Sequence, residues 1–219
     1  TKDPRIHVYC SLKDGNTEFD KQFGLPNGYD SHTIADAPSG SFVGLENTSN
    51  FNINTILRLD APTIFLMPSE TKLLLAEAVL RNWTNGNAEV LYKEAITSSM
   101  KEQEIAYGTQ GKITDEEIET YLAQNLFSTA NNTEKLQIIG EQYWVATFIN
   151  GYESYANWRR TGYPKLIPTN YSGSMSPGVI PTRLPYPTDE YSINRANVDT
   201  ANQQQGADKV TTHIWWDID

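Results

Sequence analysis

The side chains that most often do chemistry are scattered along this sequence and form no familiar reactive motif. The three histidines, His7, His32 and His213, stand far apart, and none has the His-x-x-x-His spacing of a zinc site. The chain contains no Gly-x-Ser-x-Gly nucleophile elbow and no glycine loop that could cradle a phosphate. The sequence therefore predicts no metal site, no cofactor and no catalytic centre of these kinds.

Carboxyl groups are the remaining candidates for catalysis, because cleavage of a glycosidic bond needs two of them across a cleft. The candidates are Glu153, Asp189, Glu190, Asp217 and Asp219. The chain has 27 acidic residues, so many false pairs exist and the sequence does not single out a true one. A glycan-acting enzyme, or an accessory domain of one, stays open as an alternative to a protein that only binds.

Aromatic and amide side chains offer a different chemistry, which is binding without reaction. The chain includes 12 Tyr and 5 Trp, and Asn, Thr and Ser are plentiful. Aromatic rings stack on the apolar faces of sugars, and amides and hydroxyls match sugar hydroxyls, so this composition favours a polar ligand. The formal net charge of -10 disfavours nucleic acid as a partner, because an acidic surface repels phosphates.

The elements that must position these side chains fall into three segments. Residues 1–67 carry turn signals and are expected to be loop-rich, with short strands at Ile6–Tyr9 and Ile53–Leu59. Residues 68–158 have the apolar spacing of helices. Residues 159–219 contain six prolines, which exclude a continuous helix, and we expect this segment to be irregular.

Capping and breaking signals divide residues 68–158 into four helices arranged as two hairpins. The first helix has Ser69 as its N-cap, and the second begins at Ala88. The third begins at the capping box of Thr114, and the fourth and longest runs from Asn131 or Asn132 to Trp158. The tetratricopeptide consensus is absent, so the residues alone predict helical hairpins and no named repeat.

Arginine and tryptophan residues mark the end of the helical stretch and of the chain. Trp158, Arg159 and Arg160 open the run WRRTGYP, and Trp215 and Trp216 lie close to the C-terminus. An arginine near a helix end complements the helix dipole, and its planar fork can bind a carboxylate. We expect Arg159 or Arg160 to be buried against Glu77, and the two tryptophans to anchor the tail. Direct contact of these side chains with a ligand is the alternative.

The order of these motifs resembles that of SusD-like proteins, also called the SusD/RagB family, which are glycan-binding lipoproteins of Gram-negative outer membranes. The matching pieces are Ser69–Ala78 (SETKLLLAEA), Ala88 to Met100, Trp158–Pro164, the segment with Pro181, Arg183, Tyr186, Pro187 and Glu190, and Trp215–Asp217. Tyr155 stands where the family has a tryptophan, which is a small departure. The resemblance covers nearly the whole chain, and the pieces occur in the family's order.

The resemblance implies a mainly α protein with tetratricopeptide-like helical hairpins and long irregular loops, forming part of a superhelix. Residues 1–219 would be the C-terminal portion of a single SusD-like domain whose N-terminal half is missing. A lipid on that missing N-terminus would hold the protein at the outer surface of the outer membrane. There it would bind an oligosaccharide or another nutrient without catalysis and deliver it to a TonB-dependent, SusC-like transporter. A tetratricopeptide-like scaffold that binds only protein is a further alternative.

The resemblance also indicates where a ligand would bind, because sugar-stacking rings of the family lie in loops before the helix that contains Glu77. In the segment from Phe19 to Phe51, turn residues flank three rings and nearby amides could bind sugar hydroxyls. The expected ligand-binding residues are Phe23, Asn27, Tyr29, Phe42 and Asn47. The alternative is that these rings only fasten a long loop to the helices. Arg183, by contrast, is expected to be structural, like Glu77 and Trp158.

Overall fold

The computed structural model describes residues 2–29, 32–37, 40, 42–124, 127–170 and 173–217. Over these residues the chain forms eight α-helices, several short 3-10 turns and one two-stranded sheet, which confirms the mainly α fold. The backbone divides into two compact units. The first comprises Thr1–Pro26 and Asp36–Pro164, and the second comprises Asn27–Ala35 and Lys165–Asp219.

The beginning of the first unit is loop-rich, but its short elements differ from the expected strands. Residues Ile6–Tyr9 form helix α1, and Cys10–Ser11 (β1) pairs antiparallel with Asn50–Phe51 (β2). Residues 53–57 are turns, because the Asn52 amide donates to the carbonyl oxygen of His7 at 2.9 Å and the Thr55 hydroxyl donates to that of Val8. These two side-chain contacts hold the turn against α1.

Five helices form the core of the first unit: α2 Pro68–Leu80, α3 Ala88–Tyr107, α4 Asp115–Ala123, α5 Asn132–Ala146 and α6 Gly151–Thr161. Helix α2 packs along α3 and against α5, and α5 packs against α6. The shared core includes Leu73, Ala76, Tyr92, Ile96 and Ile139. The first hairpin expected from apolar spacing is therefore present as α2 and α3, and a second packed pair is formed by α5 and α6.

Three of the four predicted helix starts are observed, including Ala88 of α3, and one differs. Thr114 accepts a hydrogen bond from the Glu117 amide, and Asn131 accepts one from the Glu134 amide, as capping boxes require. Ser69 is not the N-cap of α2, because the helix begins one residue earlier at Pro68, a residue suited to the first helical position. The buried Ser69 hydroxyl instead donates to Glu102 at 2.6 Å.

The predicted fourth helix is two helices, which is a correction of the sequence interpretation. The chain turns between α5 and α6, where the Thr147 hydroxyl donates to the carbonyl oxygen of Tyr143 and lies 2.7 Å from the Ser154 hydroxyl. The Asn150 side chain then caps α6 by accepting from the Glu153 amide. Phe148, in the turn between the two helices, stacks on Tyr9 at a centroid distance of 4.8 Å.

The second unit is less irregular than expected. It contains helix α7 at Thr188–Ile193 and helix α8 at Arg195–Gln205, so the prediction for 159–219 was wrong over these residues. All six prolines of that segment precede Thr188, and the last of them, Pro187, directly precedes α7. Prolines therefore exclude helix only before that point. Among the described residues, no helix is long and apolar enough to cross a membrane.

Candidate functional site

A groove beside α4 in the first unit is large enough to hold a small ligand. Its volume is about 560 Å³, within the range typical of ligand sites, about 300–1,000 Å³. The start of the chain, the turn at Phe19 and the helix α4 form its walls. Rings of Phe19 and Tyr121 and the carboxylates of Glu18, Glu116 and Glu117 line it.

A buried arginine holds the start of the chain against the helices and so shapes this groove. The Arg5 side chain is 1% exposed and donates to Ser99 of α3 at 3.0 Å and to Gln142 of α5 at 2.7 Å. It also forms an ion pair with Asp3, whose side chain is 21% exposed. Burial opposes ionisation of Asp3, but the hydrogen bonds and charge of Arg5 outweigh it and hold the pKa of this carboxyl below its usual range.

The same cluster orients the Tyr121 ring of the groove. Gln142 donates through Nε2 to the Tyr121 hydroxyl at 2.7 Å, and the Arg5 guanidinium lies 5.9 Å from the Tyr121 ring centroid. Sequence reasoning missed Arg5 as a positioning residue. Nothing in the local pattern of Asp3-Pro4-Arg5 shows that helices far along the chain enclose Arg5.

The first-unit members of the predicted ligand-binding set lie on loops. Phe23 is 47% exposed. Its backbone amide donates to the Ser49 hydroxyl at 2.9 Å, and its carbonyl oxygen accepts from the Ser49 amide at 2.7 Å. Asn47 is exposed, but its amide donates to the carbonyl oxygen of Val43 at 2.9 Å. Phe42 is half-buried. Phe23 and Asn47 thus lie at the surface, on a loop that is held in place by hydrogen bonds.

The two other members of the predicted set belong to the second unit. Asn27 is exposed and Tyr29 is half-buried. Gly28 between them has a φ of +82°, which favours glycine, and a Cβ there would lie 2.5 Å from the Thr169 side chain. The five predicted residues are therefore divided, with three in one unit and two in the other.

The ion pair predicted between the arginine motif and Glu77 is present. Arg160 donates two hydrogen bonds to the Glu77 carboxylate, at 2.7 and 2.6 Å, and Arg81 donates a third at 2.7 Å. The glutamate is the buried partner and the arginine is not, because the Glu77 side chain is 5% exposed whereas that of Arg160 is 42% exposed. Burial opposes ionisation of Glu77, but the hydrogen bonds and charges of Arg160 and Arg81 outweigh it and lower the pKa.

The other residues proposed as structural have contrasting environments. Trp158 is half-buried and stacks on Tyr155 with a centroid distance of 6.1 Å. In the second unit, the side chains of Arg183 and Asp208 are 8% and 7% exposed and form an ion pair at 2.8 Å. Asp208 also accepts from the Tyr191 hydroxyl at 2.6 Å, so its carboxylate joins a loop to α7.

The two tryptophans of the tail are more exposed than residues that anchor a tail would be. Trp215 is 83% exposed and Trp216 is 46% exposed. Both occupy a turn that is closed by a hydrogen bond from the Asp217 amide to the carbonyl oxygen of Ile214. The ring of Trp215 therefore projects from the turn and does not pack on the described chain.

Three of the five acidic residues considered for catalysis have local contacts in the described part of the chain. Glu153 accepts from the Tyr143 hydroxyl at 2.7 Å, and Glu190 accepts from the Asn194 amide at 2.8 Å. Asp189 is exposed in the first turn of α7, Asp217 lies near His213, and Asp219 lies outside the described residues. Within the described part of the chain, no group of three or more His, Cys, Asp or Glu residues could hold a metal ion.

Comparison with known proteins gives a family for this helical architecture. The profile of the SusD-like family, described as SusD and RagB outer membrane lipoproteins, matches residues 1–217. The chain therefore belongs to the SusD-like family. No curated protein sequence matches it significantly.

Solved structures agree with this assignment. A chitin-binding protein is 36% identical over 80% of this chain and 38% of its own, with a TM-score of 0.68. A SusD homologue from Bacteroides fragilis is 28% identical over 99% of this chain and 48% of its own, with a TM-score of 0.77. A SusD-like protein described as Bacteroidetes AC2a is 29% identical over 80% of this chain and 34% of its own, with a TM-score of 0.71. The chain thus spans less than half the length of these relatives.

Proposed function

We propose that this protein binds glycans at the outer surface of the cell without cleaving them. The observation that carries the proposal is the family match over residues 1–217, and the similarity to a chitin-binding protein favours a polysaccharide as the ligand. The ligand passes to a TonB-dependent transporter of the SusC type. Residues 1–219 act as the C-terminal portion of a SusD-like domain, and a lipid anchor precedes them.

Ligand binding involves five loop residues, which form the platform set: Phe23, Phe42 and Asn47 in the first unit, and Asn27 and Tyr29 in the second. The loop position and exposure of Phe23 support its part in this platform, since the ring can meet the apolar face of a sugar. The exposed amides of Asn27 and Asn47 offer donors and acceptors for sugar hydroxyls. Such a surface fixes a sugar by contact area and hydrogen bonds and supplies no acid and base pair.

The contacts of two acidic residues support binding without cleavage. Retaining and inverting glycosidases hold two carboxyl groups across one sugar, about 5–9.5 Å apart, with one of them protonated. Glu153 accepts a hydrogen bond from a tyrosine in the helical core, and Glu190 accepts one from Asn194, the residue that follows α7. These contacts suit positions that stabilise the fold.

A glycan array followed by a reducing-end assay tests this function. We expect the purified protein to retain at least one class of polysaccharide fragment and to generate no new reducing ends during prolonged incubation. New reducing ends would favour the glycan-acting enzyme. Retention of no glycan on the array, together with capture of protein segments only, would favour the tetratricopeptide-like scaffold. Either of these two results would contradict the proposal.

A further inference from the structure

The groove beside α4 has the chemistry to bind a cationic sugar. Rings, hydroxyls and carboxylates line it together: Phe19 and Tyr121, Thr17 and Thr120, and Glu18, Glu116 and Glu117. Hydroxyls and ring faces suit a sugar of any charge, whereas three carboxylates at one groove select a positive charge. We propose that this groove binds an oligosaccharide that carries protonated amino groups, a deacetylated amino sugar, and this inference rests on the proposed glycan-binding function.

The lining also includes Lys2, Asp3 and His7, and carboxylates remain in excess after the ion pairs of the lining residues are taken into account. Asp3 is neutralised by the buried Arg5, and Lys2 is neutralised by an ion pair with Asp20. Among the described residues, Glu18 and Glu116 have no ion-pair partner, and both are exposed to solvent at the groove. These two carboxylates are therefore available to a ligand ammonium.

Glu117 contributes charge and has a fixed position. Its carboxylate accepts hydrogen bonds from the Thr114 amide at 2.8 Å and from the Thr114 hydroxyl at 2.7 Å. Burial opposes its ionisation, but these hydrogen bonds outweigh it and lower the pKa of Glu117. The capping contact leaves this oxygen less free for a ligand, so we assign direct contact to Glu18 and Glu116.

The wall of the groove already holds one ammonium group in the manner expected of the ligand. The Lys2 ammonium lies 5.7 Å from the centroid of the Phe19 ring while it pairs with Asp20. A ring face and a carboxylate thus share one cation at the edge of the groove. A sugar amine placed farther in would meet the Tyr121 ring and the carboxylates of Glu18 and Glu116 in the same way.

Calorimetry with matched oligosaccharides tests this inference. The probes are a chitosan hexamer, a chitin hexamer and a cellulose hexamer, which differ in the group at one ring position and in charge. We expect the deacetylated hexamer to bind about threefold to tenfold more tightly than the N-acetylated one, with the difference lost in concentrated salt. Equal affinity for both hexamers would overturn the amino-sugar assignment and leave the proposed glycan-binding function standing. Binding of no glycan in the array or in calorimetry would overturn both.

Charge-neutral variants locate the effect. E18Q and E116Q, singly and together, are expected to reduce the preference for the chitosan hexamer and to leave binding of the other hexamers unchanged. E119Q is the matched control, because it removes the same charge from an exposed position of α4 that does not line the groove. An equal loss in E119Q would show that net charge, and not the groove, selects the ligand. A trilysine peptide that binds as tightly as the chitosan hexamer would contradict a site for sugars.

Discussion

Helix α2 contains two buried glutamates whose surroundings differ completely. Glu70 is 2% exposed and Glu77 is 4% exposed, two helical turns apart. Two arginines donate to Glu77, and its pKa is lowered. Among the described residues, Glu70 accepts only from the Met67 amide, at 3.0 Å, while Glu102 and Glu153 add negative charge nearby, so burial and these neighbours raise its pKa. The pKa values of two similarly buried glutamates are thus shifted in opposite directions, because their hydrogen-bond partners and neighbouring charges differ.

Arg5 extends this comparison to a buried cation and carries the largest expected effect. Arg5→Ala removes a 1% exposed guanidinium that joins Asp3, Ser99 and Gln142. Loss of one partner from a buried ionic cluster typically costs about 3–5 kcal/mol, and we expect that loss in the free energy of unfolding measured with urea. Lys2→Ala is the control, since its ion pair is exposed. Equal stability of Arg5→Ala and the parent protein would show that the cluster is dispensable.

The arginines around Glu77 should contribute less, because both are partly exposed. Arg160→Ala removes two hydrogen bonds to the carboxylate and leaves Arg81 in place. Since the Arg160 side chain is 42% exposed, we expect a loss of about 1–2 kcal/mol in the same unfolding measurement. Arg81→Ala removes a single hydrogen bond and should cost less. A larger loss of stability in Arg81→Ala than in Arg160→Ala would contradict a dominant role of the two hydrogen bonds between Arg160 and Glu77.

The two glutamates should affect the pH dependence of stability with opposite signs. Glu77, with its lowered pKa, contributes stability that is present above the unfolded pKa of about 4.3 and is lost as the pH falls through the folded pKa. Glu70, with its raised pKa, contributes stability that is present below its unfolded pKa and is lost as the pH rises through the folded pKa.

Glutamine variants separate these contributions. Glu70→Gln removes a charge that burial disfavours, so it should raise the free energy of unfolding at pH 8 by about 0.5–1 kcal/mol relative to pH 4. Glu77→Gln should lower stability at pH 8 more than at pH 3. Urea unfolding over this pH range measures both, with E119Q as an exposed control. Parallel pH profiles for the two variants would show that the environments of Glu70 and Glu77 do not differ.

The sequence predicted those parts of the fold that local chemistry determines. Thr114 and Asn131 have side chains and following glutamates that form capping boxes in any context, so the starts of α4 and α5 were predictable. The break between α5 and α6 depends on the contact between Thr147 and Ser154, which exists only when the chain has turned. Apolar spacing continues across this break, which is why a single helix was expected.

The candidate sites were less predictable than the helices. Glu77 was identifiable because a carboxylate in an apolar helix requires a partner. The groove depends on contacts between the first residues of the chain and α4, more than a hundred positions apart, and no local pattern contains that information. The platform residues followed from family resemblance alone, and their part in ligand binding stays a prediction.

Calorimetry on the loop aromatics tests the central claim of glycan binding most directly. The variants are Phe23→Ala, Tyr29→Ala and Phe42→Ala, with Phe65→Ala as a matched control because its ring is 82% exposed and lies outside the platform. A stacked ring contributes about 0.5–1.5 kcal/mol beyond its buried area, so each platform variant should weaken binding of a glycan retained on the array at least severalfold, with unchanged folding. The control should bind like the parent protein. Full affinity in all three platform variants would contradict this account of the binding site.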